Sequence, residues 1–303
     1  MQKKIHDVVW DMETGDPDDF LTLLLLLGHP QVNLKAVTVT PGTREQVGLV
    51  RQALAWFERD IPVGAYNINH KKRCVSRWHY RVYGEIPPSD DAERGADVLL
   101  SCCDENTTLI TGAPLKNLGA AIRLATSLSG ERAFKIGRLV AQGGFAGEGV
   151  VPREKQLAKF KGMVTCPTYN LSGDSKSALA ALTYPGIEVR RFVSKNVCHR
   201  VYYDQQMHER FRAVKDKSLS LALIYQGMDA YLQRKPGGKK FHDPLAACCA
   251  INEEIATWAE VELYREGQKW GGEWGAKLSL GSGTWIITDL DHEKFVQTLT
   301  ATN

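Results

Sequence analysis

Five carboxylates fall within the nine residues Asp11-Met-Glu-Thr-Gly-Asp-Pro-Asp-Asp19. Apolar segments flank them: Ile5 to Trp10 before, and the leucine-rich run Phe20 to Leu27 after, closed by Gly28 and Pro30. Val8, Val9 and Trp10 predict the end of a buried strand, Gly15 and Pro17 a turn, and 20–27 a buried helix. Like charge at this density is costly to fold unless a cation sits in it. The acids are expected at the carboxyl end of a strand, where open α/β sheets keep their ligand sites. A solvated turn in which Asp16 or Asp18 merely caps the helix accounts for one or two of these acids, not for five.

Strand-like and helical stretches alternate further along. Strands are predicted at 32–40, 61–64, 107–111, 137–141 and 188–193, and helices at 46–57, 95–103, 115–127 and 176–182. This alternation predicts one α/β domain over 1–303, a doubly wound, mostly parallel open sheet with helices on both faces. Two long connections, 67–91 and 143–168, follow strand ends and are expected to be substrate loops. The glycine-containing tail, 258–298, predicts a small strand-rich closing element.

Composition excludes several classes. The 303 residues carry a net charge of only +3, spread along the chain, which gives no electrostatic footprint for nucleic acid. The basic runs Lys71-Lys-Arg73 and Lys239-Lys240 read as solvated loop faces. No apolar run reaches the length of a membrane span and no apolar segment follows the charged start, so a soluble cytoplasmic protein is expected. Seven cysteines without metal-finger spacing are expected to be packing residues.

A second acidic position lies far downstream. His242 and Asp243 precede Pro244 and the apolar stretch Leu245 to Ile251, so both are predicted at the first turn of a buried helix. Taken alone, His242 reads as a capping histidine or as a chemical group.

Four features in this order resemble the nucleoside hydrolase family, over roughly residues 5–251. They are the strand ending in Asp-x-Glu followed by a turn and Asp-Asp, the segment Thr111-Gly-Ala-Pro-Leu-Lys-Asn117, the pair Gly143-Gly144, and His242-Asp243-Pro-Leu-Ala. The opening acids and the late His-Asp-Pro-Leu are the specific parts. The resemblance implies a Ca²⁺-dependent hydrolase of the N-glycosidic bond of a nucleoside or modified nucleoside, active in nucleoside metabolism as a homodimer or homotetramer. It implies Asp18 as the water-activating base, Asp19 and Asp243 as metal ligands, and a backbone carbonyl from Gly112, or neighbouring Thr111, completing the protein part. His242 inherits assistance to the leaving base.

Breaking a ribosyl C–N bond asks for such groups in any case. Positive charge builds on the sugar while the base gains electrons. A carboxylate must take a proton from water, a hard cation can hold that water near the sugar diols, and a donor must quiet the departing base.

The sequence also departs from the family's pattern. Glu13 fills the second acidic place, with one extra residue before the Asp-Asp pair, so Glu13, Asp11 or Asp16 completes the metal site. Thr43 and Thr168 replace sugar-binding groups, while Asn170 is kept. A shifted substrate is therefore expected: a modified ribose, a deoxyribose, a 5′-substituted nucleoside or a nonstandard base. His79 lies in the first long loop among arginines and tyrosines, and loop charge there serves either solvation or a phosphate or acidic base substituent. Tyr225 and Tyr231 stand ahead of His242 either to stack on a base or to fill the core.

Two other classes fit parts of the pattern. An acid-rich strand end followed by a helix suits a Mg²⁺-dependent phosphohydrolase, but the lysine or serine needed to hold the phosphoryl group has no convincing place. A nucleoside-binding relative without turnover is suggested by Thr43 and Thr168 and opposed by the intact Asp18, Asp19, His242 and Asp243.

Overall fold

In the computed structural model, residues 4–127, 134–267 and 271–302 are described. The strands are β1 His6–Met12, β2 Val32–Val39, β3 Val63–Ala65, β4 Glu93–Arg94, β5 Thr108–Thr111, β6 Ile136–Gln142, β7 Thr165–Cys166, β8 Ile187–Val193, β9 Tyr202–Tyr203, β10 Lys239–Lys240, β11 Ala256–Glu266, β12 Glu273–Leu278 and β13 Thr284–Leu290. All but β9 and β10 join one sheet in the order β4-β3-β2-β1-β5-β6-β8-β13-β11-β12-β7. From β4 to β13 every pairing is parallel, and the pairings among β13, β11, β12 and β7 are antiparallel. The expected doubly wound sheet is present. The tail differs from expectation in that its strands extend the main sheet instead of capping it.

Chain order reverses at β1. Strands β2, β3 and β4 build out on one side of it and β5, β6 and β8 on the other, so the β1/β5 boundary is a topological switch point. Loops leaving these two strands diverge toward opposite faces and open a crevice at their carboxyl ends.

Strand β1 divides its side chains between two cores. Val8, Trp10 and Met12 pack with the helices Pro17–Gly28, Leu219–Leu232 and His242–Ile251, while Val9 faces the core formed with Gly95–Cys102 and Lys116–Ser127. Period-two alternation places Asp11 on the Val9 face. Helix Pro17–Gly28 buries every residue but its last, the pattern of a helix enclosed on all sides. Its proline sits in the first turn, where the missing N–H has no intrahelical partner to lose. Helix His242–Ile251 is likewise almost wholly buried and packs beside it, and both lie in the first core.

Candidate active site

The two buried helices bring their amino-terminal turns together below the switch point. Asp18 and Asp19 come from the first turn of Pro17–Gly28 and Asp243 from the first turn of His242–Ile251. One oxygen of each lies within 4.8 Å of the others, and all three residues are buried. Two helix dipoles thus point positive ends at one set of carboxylates, a partial compensation for like charge.

That compensation is incomplete. Burial first, then the carboxylates of Asp243, Glu13 and Asp18, raise Asp19 well above the usual carboxylate range. Burial and Asp18 do the same to Asp243, whose Oδ1 is buried without a hydrogen-bond partner. An orphaned buried oxygen beside two more acids, with oxygen-only donors, fits a hard divalent cation. Gly112 abuts the same place: a Cβ there would come 2.7 Å from Asp243 Oδ1, so only glycine lets the backbone approach. Its carbonyl accepts from Asn170 Nδ2 at 3.0 Å.

The other acids of the turn part company. Asp11 Oδ1 accepts from Thr38 Oγ1 at 2.7 Å and Asn117 Nδ2 at 2.8 Å on the opposite face of β1. Burial pushes its carboxyl up to about 7. Through Oδ1, Asp11 therefore links two strands and a helix outside the trio, while its Oδ2 is buried without a partner; it is one of the three acids that the sequence leaves open for completing the metal site. Asp16 is exposed and pairs with Lys239 at 3.0 Å. Glu13 is half-buried and lines a cleft of ≈ 470 Å³, bounded also by Pro41, Pro114, Lys116 and Tyr169. Burial and then the charges of Asp18, Asp16 and Asp11 push its carboxyl up to about 8. Its backbone N–H donates to Asp19 Oδ1 at 3.1 Å, while its side chain accepts no hydrogen bond among the described residues.

Asp18 is held on both oxygens. Lys239 Nζ lies 2.8 Å from Oδ1, and the His242 N–H donates to Oδ2 at 3.1 Å. Lys239 is only 5% exposed, which corrects its reading as a solvated loop residue. Burial works against its ammonium, but Asp18 and Asp16 outweigh that and raise its pKa. The signal available in sequence was its place three residues before His-Asp at a buried helix start.

His242 stands next to the trio with its Nδ1 buried and unpartnered. Burial, with Lys239 and Lys240 nearby, brings it down to about 4, so the imidazole is neutral at pH 7. Its ring lies 4.9 Å from that of His199, whose Nδ1 is 2.6 Å from Lys159 Nζ. His199 was missed in the sequence, where nothing marks it.

The remaining expected sugar and base contacts are occupied otherwise. Thr43 caps helix Arg44–Trp56, its side chain accepting from the Gln46 N–H. Asn170 Nδ2 lies within reach of Gly112 O, Gln142 O and Gln142 Oε1, so this amide fixes the site's backbone. Thr168 is buried beside it with an unpartnered Oγ1. His79 is buried, edge-on to Phe20, with Nδ1 on Ser76 O at 3.0 Å. Tyr225 stacks on His208 at 4.3 Å, and Tyr231 packs against the first core under Lys235. Both tyrosines are partly buried and packed against the first core, in keeping with the second of the two readings open in the sequence.

Comparison with known proteins places this arrangement. The family described as inosine-uridine preferring nucleoside hydrolase matches residues 8–297. An uncharacterized protein of Aquifex aeolicus is 26% identical over 95% of this chain and 96% of its own length. The pyrimidine-specific ribonucleoside hydrolase RihA of Salmonella paratyphi A is 24% identical, with 96% of each chain covered. Among solved structures, the plant nucleoside hydrolase PpNRh1 superposes with a TM-score of 0.72 at 18% identity, covering 97% of this chain and 98% of its own. The inosine-uridine preferring nucleoside hydrolase of Bacillus anthracis gives 0.67 at 19% identity, covering 98% of each. The family match runs through both halves of the acidic site, and the chain belongs to the inosine-uridine preferring nucleoside hydrolase family, enzymes that hydrolyse N-ribosyl bonds.

Proposed function

We propose that this enzyme cleaves the N-glycosidic bond of a nucleoside or modified nucleoside with one Ca²⁺ held by Asp19, Asp243 and a main-chain oxygen of the 111–112 turn. The observation that carries the reading is the buried acid trio at the switch point, with Asp243 Oδ1 unpartnered. Oxygen-only donors favour Ca²⁺ over softer metals. When bound, the cation supplies a fixed positive charge that orients water and sugar hydroxyls.

With a cation beside it to offset the neighbouring acids, the Glu13 carboxyl, which burial and those acids raise to about 8 in the empty site, would be ionised and able to take the proton from water. Sequence alone favoured Asp18, but both Asp18 oxygens already accept, from Lys239 and from the His242 N–H. Glu13 has free acceptor capacity and lines the cleft. In the reaction the C1′–N bond breaks with its electron pair going to the base, the water oxygen bonds to C1′, and one water proton passes to Glu13; the released base takes a proton from solvent and Glu13 returns its own to solvent. Neutral His242 donates a hydrogen bond to that base. Asp18 and Lys239 hold the helix start that carries His242 and Asp243.

Asp19→Ala is expected to abolish both Ca²⁺ binding, read by calorimetry, and base release from ribosides. Full Ca²⁺ affinity in that variant would overturn the assignment.

A further inference from the structure

The cleft over Glu13 is lined on its outer side by basic groups that the hydrolysis of a neutral nucleoside does not use. His70, Lys72 and Arg73 come from the loop after β3, and Lys116 from the start of helix Lys116–Ser127. Among the described residues, Glu13 is the only acid in this lining. Among the described residues, Lys72, Arg73 and Lys116 form no ion pair, whereas nearby Arg44 is paired with Asp90. Three uncompensated cations against one carboxylate leave the mouth positive.

The loop is fastened to the acidic turn itself. Ser76 N–H donates to Thr14 O at 3.2 Å, and Thr14 Oγ1 donates to Cys74 O at 3.1 Å. At the loop's other end, Asn67 N–H donates to Pro41 O at 2.7 Å. Gln46 ties the two ends, donating to Thr14 Oγ1 and Thr40 O. The basic run is thus anchored at both ends beside the residue that follows Glu13. A second groove of ≈ 650 Å³ shares His70, Arg73 and Val75 with the cleft and adds Lys71, Arg44 and one acid, Glu45, so basic groups still outnumber acids further out.

Resting on the hydrolase reading above, we infer that the substrate carries an anionic substituent, a phosphate or a carboxylate, bound at this mouth by Lys72 and Arg73 with Lys116 opposite. Guanidinium and ammonium groups bind such anions through short, charge-assisted hydrogen bonds. A positive mouth also raises the rate of encounter with an anion, an effect that salt screens.

The test compares Ca²⁺-loaded enzyme on a set of ribonucleosides, their 5′-monophosphates, and a pyrimidine riboside with a ring carboxylate, reading free base and sugar or sugar phosphate. An anionic substrate is expected to exceed its neutral parent by about 10-fold or more in kcat/KM at low salt. The excess should shrink at 0.5 M NaCl, on the order expected for screened surface charge. The K72A/R73A double variant, with Ca²⁺ affinity confirmed by calorimetry, should collapse the ratio of anionic to neutral substrate toward one. Preference for the phosphate places the anion on the sugar, and preference for the carboxylate places it on the base. Equal cleavage of neutral and anionic substrates, with a ratio unmoved by the double variant, overturns this inference and leaves the hydrolase standing. Release of base from none of them overturns both.

Discussion

Lys239 Nζ lies 2.8 Å from Asp18 Oδ1, a buried ammonium against a buried carboxylate that arrive from positions 221 residues apart in sequence (239 − 18). The same Nζ reaches Asp16, so one lysine gathers the acidic turn and fixes it against the helix start at His242. Removing one partner of such a pair leaves an uncompensated buried charge, at a cost of about 3–5 kcal/mol. Lys239→Ala is expected to lower the unfolding free energy by that order in denaturant titration, and Lys239→Arg to restore much of it. A loss below about 1 kcal/mol, the level of an exposed pair, would show that the ion pair is dispensable.

Stability of the metal-free protein should fall as pH rises. Glu13 and Asp11 are raised to about 8 and about 7, and Asp19 and Asp243 are raised as well. With folded pKa values above the unfolded ones, the native state binds more protons than the unfolded chain. The stability these groups give is full below the unfolded carboxylate range, near pH 4, and is lost as pH climbs through 7 to 8. Thermal unfolding in chelator should show Tm decreasing from pH 5 to pH 8, and saturating Ca²⁺ should reverse the trend because the cation replaces the protons. A Tm that rises with pH in chelator would contradict the assignment of shared, uncompensated charge.

Much of this was legible in the chain, and the rest was hidden for identifiable reasons. Periodicity marked the parallel strands and flanking helices, and the acid-rich turn marked the carboxyl end of β1. The Asp-Asp and His-Asp pairs announced the two halves of the trio because both begin buried helices. Which acids would join was not legible: Asp11 is turned to the other face by strand alternation, and its partners Thr38 and Asn117 are distant in sequence. Lys239 looked like half of a surface run because solvation is the usual fate of paired lysines, and only the fold brings Asp18 to it. In sequence Tyr225 suits a stacking residue as well as a core one, and only the fold lays His208 against its face.

The base is separable from its neighbour by paired amide substitutions. Glu13→Gln is expected to lower kcat by roughly 10² or more with little change in KM, the usual scale for a lost acid–base group. Asp18→Asn should chiefly lower stability, since Lys239 loses its charged partner. The reverse pattern, with Glu13→Gln nearly fully active and Asp18→Asn inactive but stable, would return the base to Asp18.

Leaving-group help from His242 should depend on how much help the base needs. His242→Ala is expected to slow ordinary ribosides by about 10² or more, within the range for acid–base groups, while an activated nitrophenyl riboside loses far less. Equal losses on both would assign His242 to positioning of Asp18 and Asp243 alone.

The most direct measurement is base and sugar release from a panel of ribosides and their phosphorylated forms after exhaustive chelation, followed by return of Ca²⁺. The account predicts turnover that disappears with chelator and returns in full with Ca²⁺ in the wild type, but not in Asp19→Ala or Asp243→Ala. Turnover that survives complete removal of the metal, or that returns equally in those two variants, would contradict the claim that Asp19 and Asp243 of the buried acid trio hold a cation on which N-ribosyl hydrolysis depends.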